Sequence, residues 1–180
     1  MKRAIVVPAP MPLAARTELK NWLAISSGNE DAFLESLLCA SLDTCEAFTG
    51  SMLLEQTCEE FLAPTDRWQA LSASPVQSIE MLVAIPTSGS IFLMESDAYE
   101  FDIDADGIGR VRLLRPQAMA RAQVRYVAGR SANWDSLPDG LRQGVVRLAA
   151  HQYRERDGAG TTPPASVAAS WRPWRRLRLT

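Results

Sequence analysis

The sequence predicts an α+β fold: a small helical bundle with an inserted antiparallel β-hairpin sheet and an extended C-terminal tail. Three observations lead there. Apolar residues recur at helical period before residue 50 and again over 136–156. Between them lie short, partly alternating, β-rich runs separated by turn residues. The last eleven residues, SWRPWRRLRLT, concentrate tryptophan and arginine as no other stretch does. With 180 residues, 47% hydrophobic and 22% charged, the chain is long enough to bury roughly 70% of its unfolded surface around one core.

Residues 1–16 are expected as an extended N-terminal arm, because Pro8, Pro10 and Pro12 interrupt MKRAIVVPAPMPLAAR before any apolar run reaches signal-peptide length. No run approaches the ~18 apolar residues of a membrane span. A folded domain then covers 17–156. Its first helix, about 17–25, places Leu19, Trp22 and Leu23 at i, i+3, i+4 with Thr17 as N-cap. SSGN ends it, and Ser27 with Glu30 has capping-box spacing for the second helix, about 30–49. That helix carries one stripe, Leu34, Leu37, Leu38, Leu42, Cys45 and Phe48, with Glu30 and Asp31 at its positive end and Gly50 at a left-handed C-cap. The β-rich insert, about 53–129, has strands at 53–62, 77–85, 90–96, 98–104, 109–114 and 122–129, punctuated by Pro64, Pro75, Pro86, Gly89, Gly107 and Pro116. Spacing of about a dozen residues favours hairpins over βαβ units. A third helix, about 138–156, sets Leu141, Val145, Leu148, Ala149 and Tyr153 on one face behind Pro138. Residues 157–180 form a flexible linker, DGAGTTPPASVAAS, and a docking tail expected to be dispensable for folding.

The residues offer little for catalysis. Cys39, Cys45 and Cys58 are odd in number and lack CxxC spacing, and His151 is the single histidine, so neither a disulfide framework nor a zinc site assembles. The cysteines read as buried small hydrophobes in a reducing compartment, and His151 as structurally packed or paired. DIDADG, Asp102 to Gly107, matches the first half of a calcium loop, but the bidentate glutamate of position 12 is Leu113 and position 9 is Arg110, so a hairpin turn is expected. There is no GxSxG elbow, GxGxxG fingerprint or P-loop, and Glu59 and Glu60 alternate faces of a strand. No cofactor and no metal is expected, and no enzymatic activity.

Charge is divided unevenly. The net charge is −2, and four arginines without an acid in residues 170–180 leave −6 on residues 1–169. An acidic body disfavours general nucleic-acid binding, and four phosphate contacts alone give a salt slope near −3.6, roughly a 150-fold loss of affinity between 50 and 200 mM salt. At a membrane, Pro173 and the shortness of the segment limit an amphipathic helix. As a strand, RRLRL sets Leu177 and Leu179 on one face and Arg176 and Arg178 on the other, which suits addition to the edge of a partner sheet, and tryptophan and arginine dominate interface hot spots. Docking on another protein is the favoured reading. A tail folded back on its own domain, a small nucleic-acid-binding protein using a basic C-terminal arm, and an enzyme of unknown class are the alternatives.

TELKNWLAI, EDAFLESLLCASLDTCEAFTG, LLEQT, SPVQSIEML, DAYEFD, VRYVAG and LPDGLRQGVVRLAAHQYRER follow one another over residues 17–156. In that order the chain resembles the head-tail connector proteins, also called adaptor or head-completion proteins, of long-tailed phages, prophages and phage-like gene transfer agents. The resemblance implies a non-enzymatic homo-oligomeric ring, typically of twelve subunits. Such a ring sits beneath the portal protein of a DNA-filled capsid and presents its far face to a stopper or tail-completion protein, while duplex DNA passes through without specific binding. It implies assembly in the cytoplasm of the producing bacterium and a final place in the neck of the particle. Ring packing is then expected from Leu34, Leu38, Leu42, Phe48, Leu141, Val145 and Leu148. Portal docking is expected from Trp171, Arg172, Trp174, Arg175, Arg176, Leu177, Arg178 and Leu179.

Overall fold

A computed structural model describes residues 3–116, 119–155 and 162–176, and it is α+β. Two compact units divide the chain, which crosses between them three times: Met1–Ala9 with Glu55–Arg130, and Pro10–Leu54 with Ser131–Thr180.

The first unit is all β. One antiparallel sheet has the order β1 (Arg3–Val7), β2 (Gln56–Leu62), β8 (Arg121–Ala128), β4 (Val76–Ile85), β5 (Phe92–Leu93). A second has the order β3 (Gln69–Ala70), β7 (Gly109–Leu113), β6 (Tyr99–Ile103). Period-two alternation makes the core: Cys58 and Leu62 from β2, Leu82 and Ala84 from β4, Val111 and Leu113 from β7, and Ala122, Val124, Tyr126 and Ala128 from the central strand β8 are all buried. Glu60 is buried among them, and its Oε2 accepts hydrogen bonds from the Ser72 amide (2.9 Å), the Ser72 hydroxyl (2.8 Å) and the Tyr126 hydroxyl (3.1 Å). A buried carboxylate demands such partners. Burial, then the Glu60 charge, pushes the Tyr126 phenol up. Residues 104–108 form the turn of the β6–β7 hairpin, with Asp102 and Ile103 still in β6, and there Asp104 accepts from the amides of Asp106 (3.0 Å) and Ile108 (2.9 Å) and pairs with Arg110 at 2.9 Å.

Two expectations change here. Residues 3–7 of the expected extended arm form a strand, paired antiparallel with β2 from Arg3 opposite Glu60 to Val7 opposite Thr57. The run 90–96 yields a strand only at Phe92–Leu93, because the Ala98 amide bonds back to the Glu95 carbonyl and the chain turns into β6.

The second unit is helical: α1 (Leu13–Leu23), α2 (Asp31–Thr49), α3 (Asp139–Arg154) and α4 (Ala165–Trp171), followed by a 3₁₀ turn over Arg172–Trp174. α1 starts four residues earlier than the periodicity places it, directly after Pro12, whose extended φ/ψ suits an N-cap. Thr17 therefore lies inside the helix, its hydroxyl bonding the Leu13 carbonyl at 2.9 Å. The expected capping box is absent too, since the N-cap position of α2 is Glu30 and makes no side-chain cap bond. Gly50 ends α2 at φ 71. Leu53 stays with this unit, its amide bonding Glu46 Oε1 at 2.8 Å, so the following strand starts only at Gln56. Leu19, Leu34, Leu38, Leu42, Cys45, Leu141, Val145, Leu148 and Ala149 fill the core between the helices.

Candidate functional site

The C-terminal segment is held by two helices. α3 carries Gly144 on its buried side, and a methyl group added there would collide with the Trp171 indole at Nε1. The missing side chain is the notch that admits the indole, which is fully buried. On its other side Trp171 meets the ring of Phe48, near the end of α2, at a centroid distance of 5.8 Å and an interplanar angle of 54°. Val167, one turn earlier in α4, is buried with it. Pro164 sets the start of α4, with φ −51 and ψ 147 at the N-cap.

Beyond Trp171 the chain follows the C-terminal end of α2. The Arg175 amide closes the 3₁₀ turn on the Arg172 carbonyl at 3.1 Å, and the Arg175 guanidinium stands 5.5 Å from the centre of the Phe48 ring. The Arg176 amide donates to the Thr49 carbonyl at 2.9 Å, satisfying one of the acceptors that a helix end leaves open. Arg172 and Arg175 are exposed, while Trp174 and Arg176 are half-buried.

This corrects the expectation of a detachable tail. Residues 165–170, read as linker, are helix, and Trp171 is core. Small residues in ASVAASW resemble a linker because the partner that orders them, Gly144, lies far away in sequence. Leu177, Arg178 and Leu179 lie outside the described residues.

The residues expected to pack the ring are also placed differently. Leu34, Leu38, Leu42, Leu141, Val145 and Leu148 are buried in the chain's own helical core, and Phe48 is half-buried between Trp171 and Arg175. A side chain enclosed by its own chain has no surface left for a neighbour, so these six leucine and valine side chains pack the chain's own core, while Phe48 keeps part of its surface exposed. Sequence periodicity identifies the apolar stripe but not what covers it.

The remaining candidates fall apart as a constellation. His151 Nε2 lies 3.3 Å from Glu155 Oε2, four residues on at the C-cap of α3. The serines of 86–90 lie in the connection between β4 and β5. Cys39 is exposed rather than buried, and Cys45 and Cys58 are buried. Burial, then the charges of Glu35 and Asp43, raises the Cys39 thiol, and burial raises that of Cys45, so neither is activated as a nucleophile. Among the described residues no group of three or more His, Cys, Asp or Glu side chains is placed to hold a metal ion.

No protein-family model and no curated protein sequence matches the chain. Solved structures do. The chain is similar over its whole length to a chain in the neck of an empty gene transfer agent (GTA) particle computed with C6 symmetry, with 27% identity, a TM-score of 0.80 and 98% of that chain covered. It is equally similar in sequence, at 27%, to a chain of the virion of a native GTA particle, with a TM-score of 0.77 over 100% of this chain and 98% of that one. A chain from the neck of a native GTA particle computed with C12 symmetry shares the fold, with a TM-score of 0.75 at 24% identity over 98% and 97% of the two chains.

Proposed function

We propose that this chain is a structural subunit of the neck of a phage-like or gene-transfer-agent particle, an adaptor forming a ring between the portal of a DNA-filled capsid and the stopper or tail. The observation that carries this reading is the end-to-end correspondence with a neck chain at TM-score 0.80. A six-fold neck accommodates a ring of twelve subunits, the number the connector resemblance implies. The acidic balance of residues 1–169 supports passage of DNA without adhesion, since like charge repels the phosphates.

The tail reading becomes narrower. With Trp171 anchored in its own unit, portal docking belongs to the exposed Arg172 and Arg175, to Trp174 and Arg176, and to Leu177, Arg178 and Leu179. Repetition around a ring converts weak individual contacts into strong avidity. The experiment is capture by the cognate portal. The full chain is expected to co-purify with portal and to form a ring on it by electron microscopy, and a chain ending at Arg176 is expected to lose capture while its thermal unfolding stays unchanged. Retained capture by the shortened chain would remove the terminal residues from the docking site. A full chain that neither binds portal nor forms rings overturns the adaptor reading.

A further inference from the structure

The three-stranded sheet stops one strand short of covering its apolar side, and we propose that the open edge of β6 takes an antiparallel strand from a partner protein, an extended segment in which apolar and basic side chains alternate. This goes beyond the neck reading and does not rest on it.

β6 ends the order β3, β7, β6, so no strand lies on its far side among the described residues. The pairing fixes which backbone groups are left open. The Ala98 carbonyl accepts from the Leu114 amide at 2.8 Å, and the Asp104 amide donates to the Ile108 carbonyl at 3.2 Å, so both ends of the hairpin are bonded pairs. Bonded and open pairs alternate along an antiparallel ladder, so Glu100 and Asp102 are tied to β7 while the N–H and C=O groups of Tyr99, Phe101 and Ile103 point outward. The side chains of these three lie on the core side of the sheet, with Phe101 opposite Val111 and Tyr99 opposite Leu113. Val111 and Leu113 are fully buried, yet Phe101 is 54% exposed. The apolar layer is closed over β7 and left open over β6.

Charge along the same edge selects the occupant. Residues 95–115 hold six acids and three arginines. Arg112 pairs with Glu100, Arg115 with Asp97 at 3.1 Å and Arg110 with Asp104 at 2.9 Å, which engages all three arginines. Asp102, its side chain 59% exposed, reaches Arg110 only at 4.0 Å. Glu95 and Asp106 are exposed and have no ion-pair partner among the described residues. The edge therefore keeps an excess of negative charge after its own pairs are counted. It repels a second β6 and the phosphates of a nucleic acid, and it favours a strand whose basic residues stand beside Glu100 and Asp102. On such a strand the alternate positions fall on the core side, where apolar side chains cover Phe101. Strand addition of this kind draws affinity from the backbone and specificity from alternate side chains.

The test uses a fluorescein-labelled peptide with blocked ends, Arg-Val-Arg-Val-Arg-Val-Arg, whose anisotropy is followed as the full chain is added. Saturable binding is expected, with slowed hydrogen exchange at the amides of Tyr99, Phe101 and Ile103. Phe101→Thr and Asp102→Arg, both at exposed positions, are each expected to weaken binding at least about fivefold with unchanged thermal unfolding. N-methylation of the peptide's valines, whose amides face β6 in the antiparallel arrangement, is expected to abolish binding, which separates strand pairing from attraction between charges. Equal binding by the methylated peptide, or by a peptide with glutamate in place of arginine, overturns the proposal. So does a wild-type chain whose three amides stay unprotected when the peptide is present. The chain ending at Arg176 is expected to bind the peptide as the full chain does. Tighter binding by the shortened chain overturns the separate partner and gives the edge to the chain's own terminal residues.

Discussion

Ala24 closes α1 at φ 57 and ψ 38, and its amide and that of Ile25 bond back to the carbonyls of Asn21 and Lys20. This left-handed helix end disfavours a side chain with a β-carbon, so Ala24→Gly is expected to stabilise the protein by about 0.5–1 kcal/mol, read as a higher urea midpoint. Asp31 shows a similar dependence on neighbours. The hydrogen bond from Lys20 Nζ at 2.8 Å holds its carboxyl below the ordinary aspartate range against the effect of desolvation, and the charges of Lys20 and Arg16 add to it. A group whose folded-state pKa lies below its unfolded value contributes stability above the ordinary aspartate range and loses it as pH falls through the lowered value. Asp31→Asn is therefore expected to flatten the acid limb of the stability profile and leave the alkaline limb unchanged, measured by denaturant midpoints across pH. The sequence shows an acid at a helix start. That its partner comes from α1 depends on packing, since Lys20 lies eleven positions away.

Among elements, α4 is the one whose existence the sequence conceals. Seven residues cannot sustain a helix in water, because nucleation is unfavourable and so few bonds follow it. Burial of Trp171 against Gly144 and Phe48 supplies what propensity does not. Gly144→Ala places a methyl group inside the indole, so a loss of about 1–3 kcal/mol is expected, with faster tryptic cleavage after Arg175. Unchanged proteolysis would mean that the indole is held elsewhere. α2 is the opposite case. Its stripe, its acid at the first turn and its terminal glycine all agree, and the observed helix, Asp31–Thr49, follows them. β1 escapes detection because the prolines that follow it exclude a helix without indicating that β2 leaves an edge open to pairing.

For the whole molecule, the decisive contrast is between two truncations. Ending the chain at Arg176 leaves the Trp171 anchor intact, whereas ending it at Pro164 removes a fully buried tryptophan and is expected to cost about 3–5 kcal/mol, seen as a lowered midpoint in thermal or denaturant unfolding. If both truncated chains unfold alike, α4 contributes nothing to the helical unit. The sequence by itself determined the α+β class, because periods of 3.6 and 2 are written in each segment, and it determined the separation of a cationic end from an acidic body, because charge is counted without knowing the fold. Only the tertiary structure decided which apolar residues remain available to a partner. Leu34 and Phe33 are neighbours in sequence, yet one is enclosed and the other projects outward, and Trp171 belongs to the core through a glycine 27 positions away. Burial is a relation between distant segments, and no local pattern contains it.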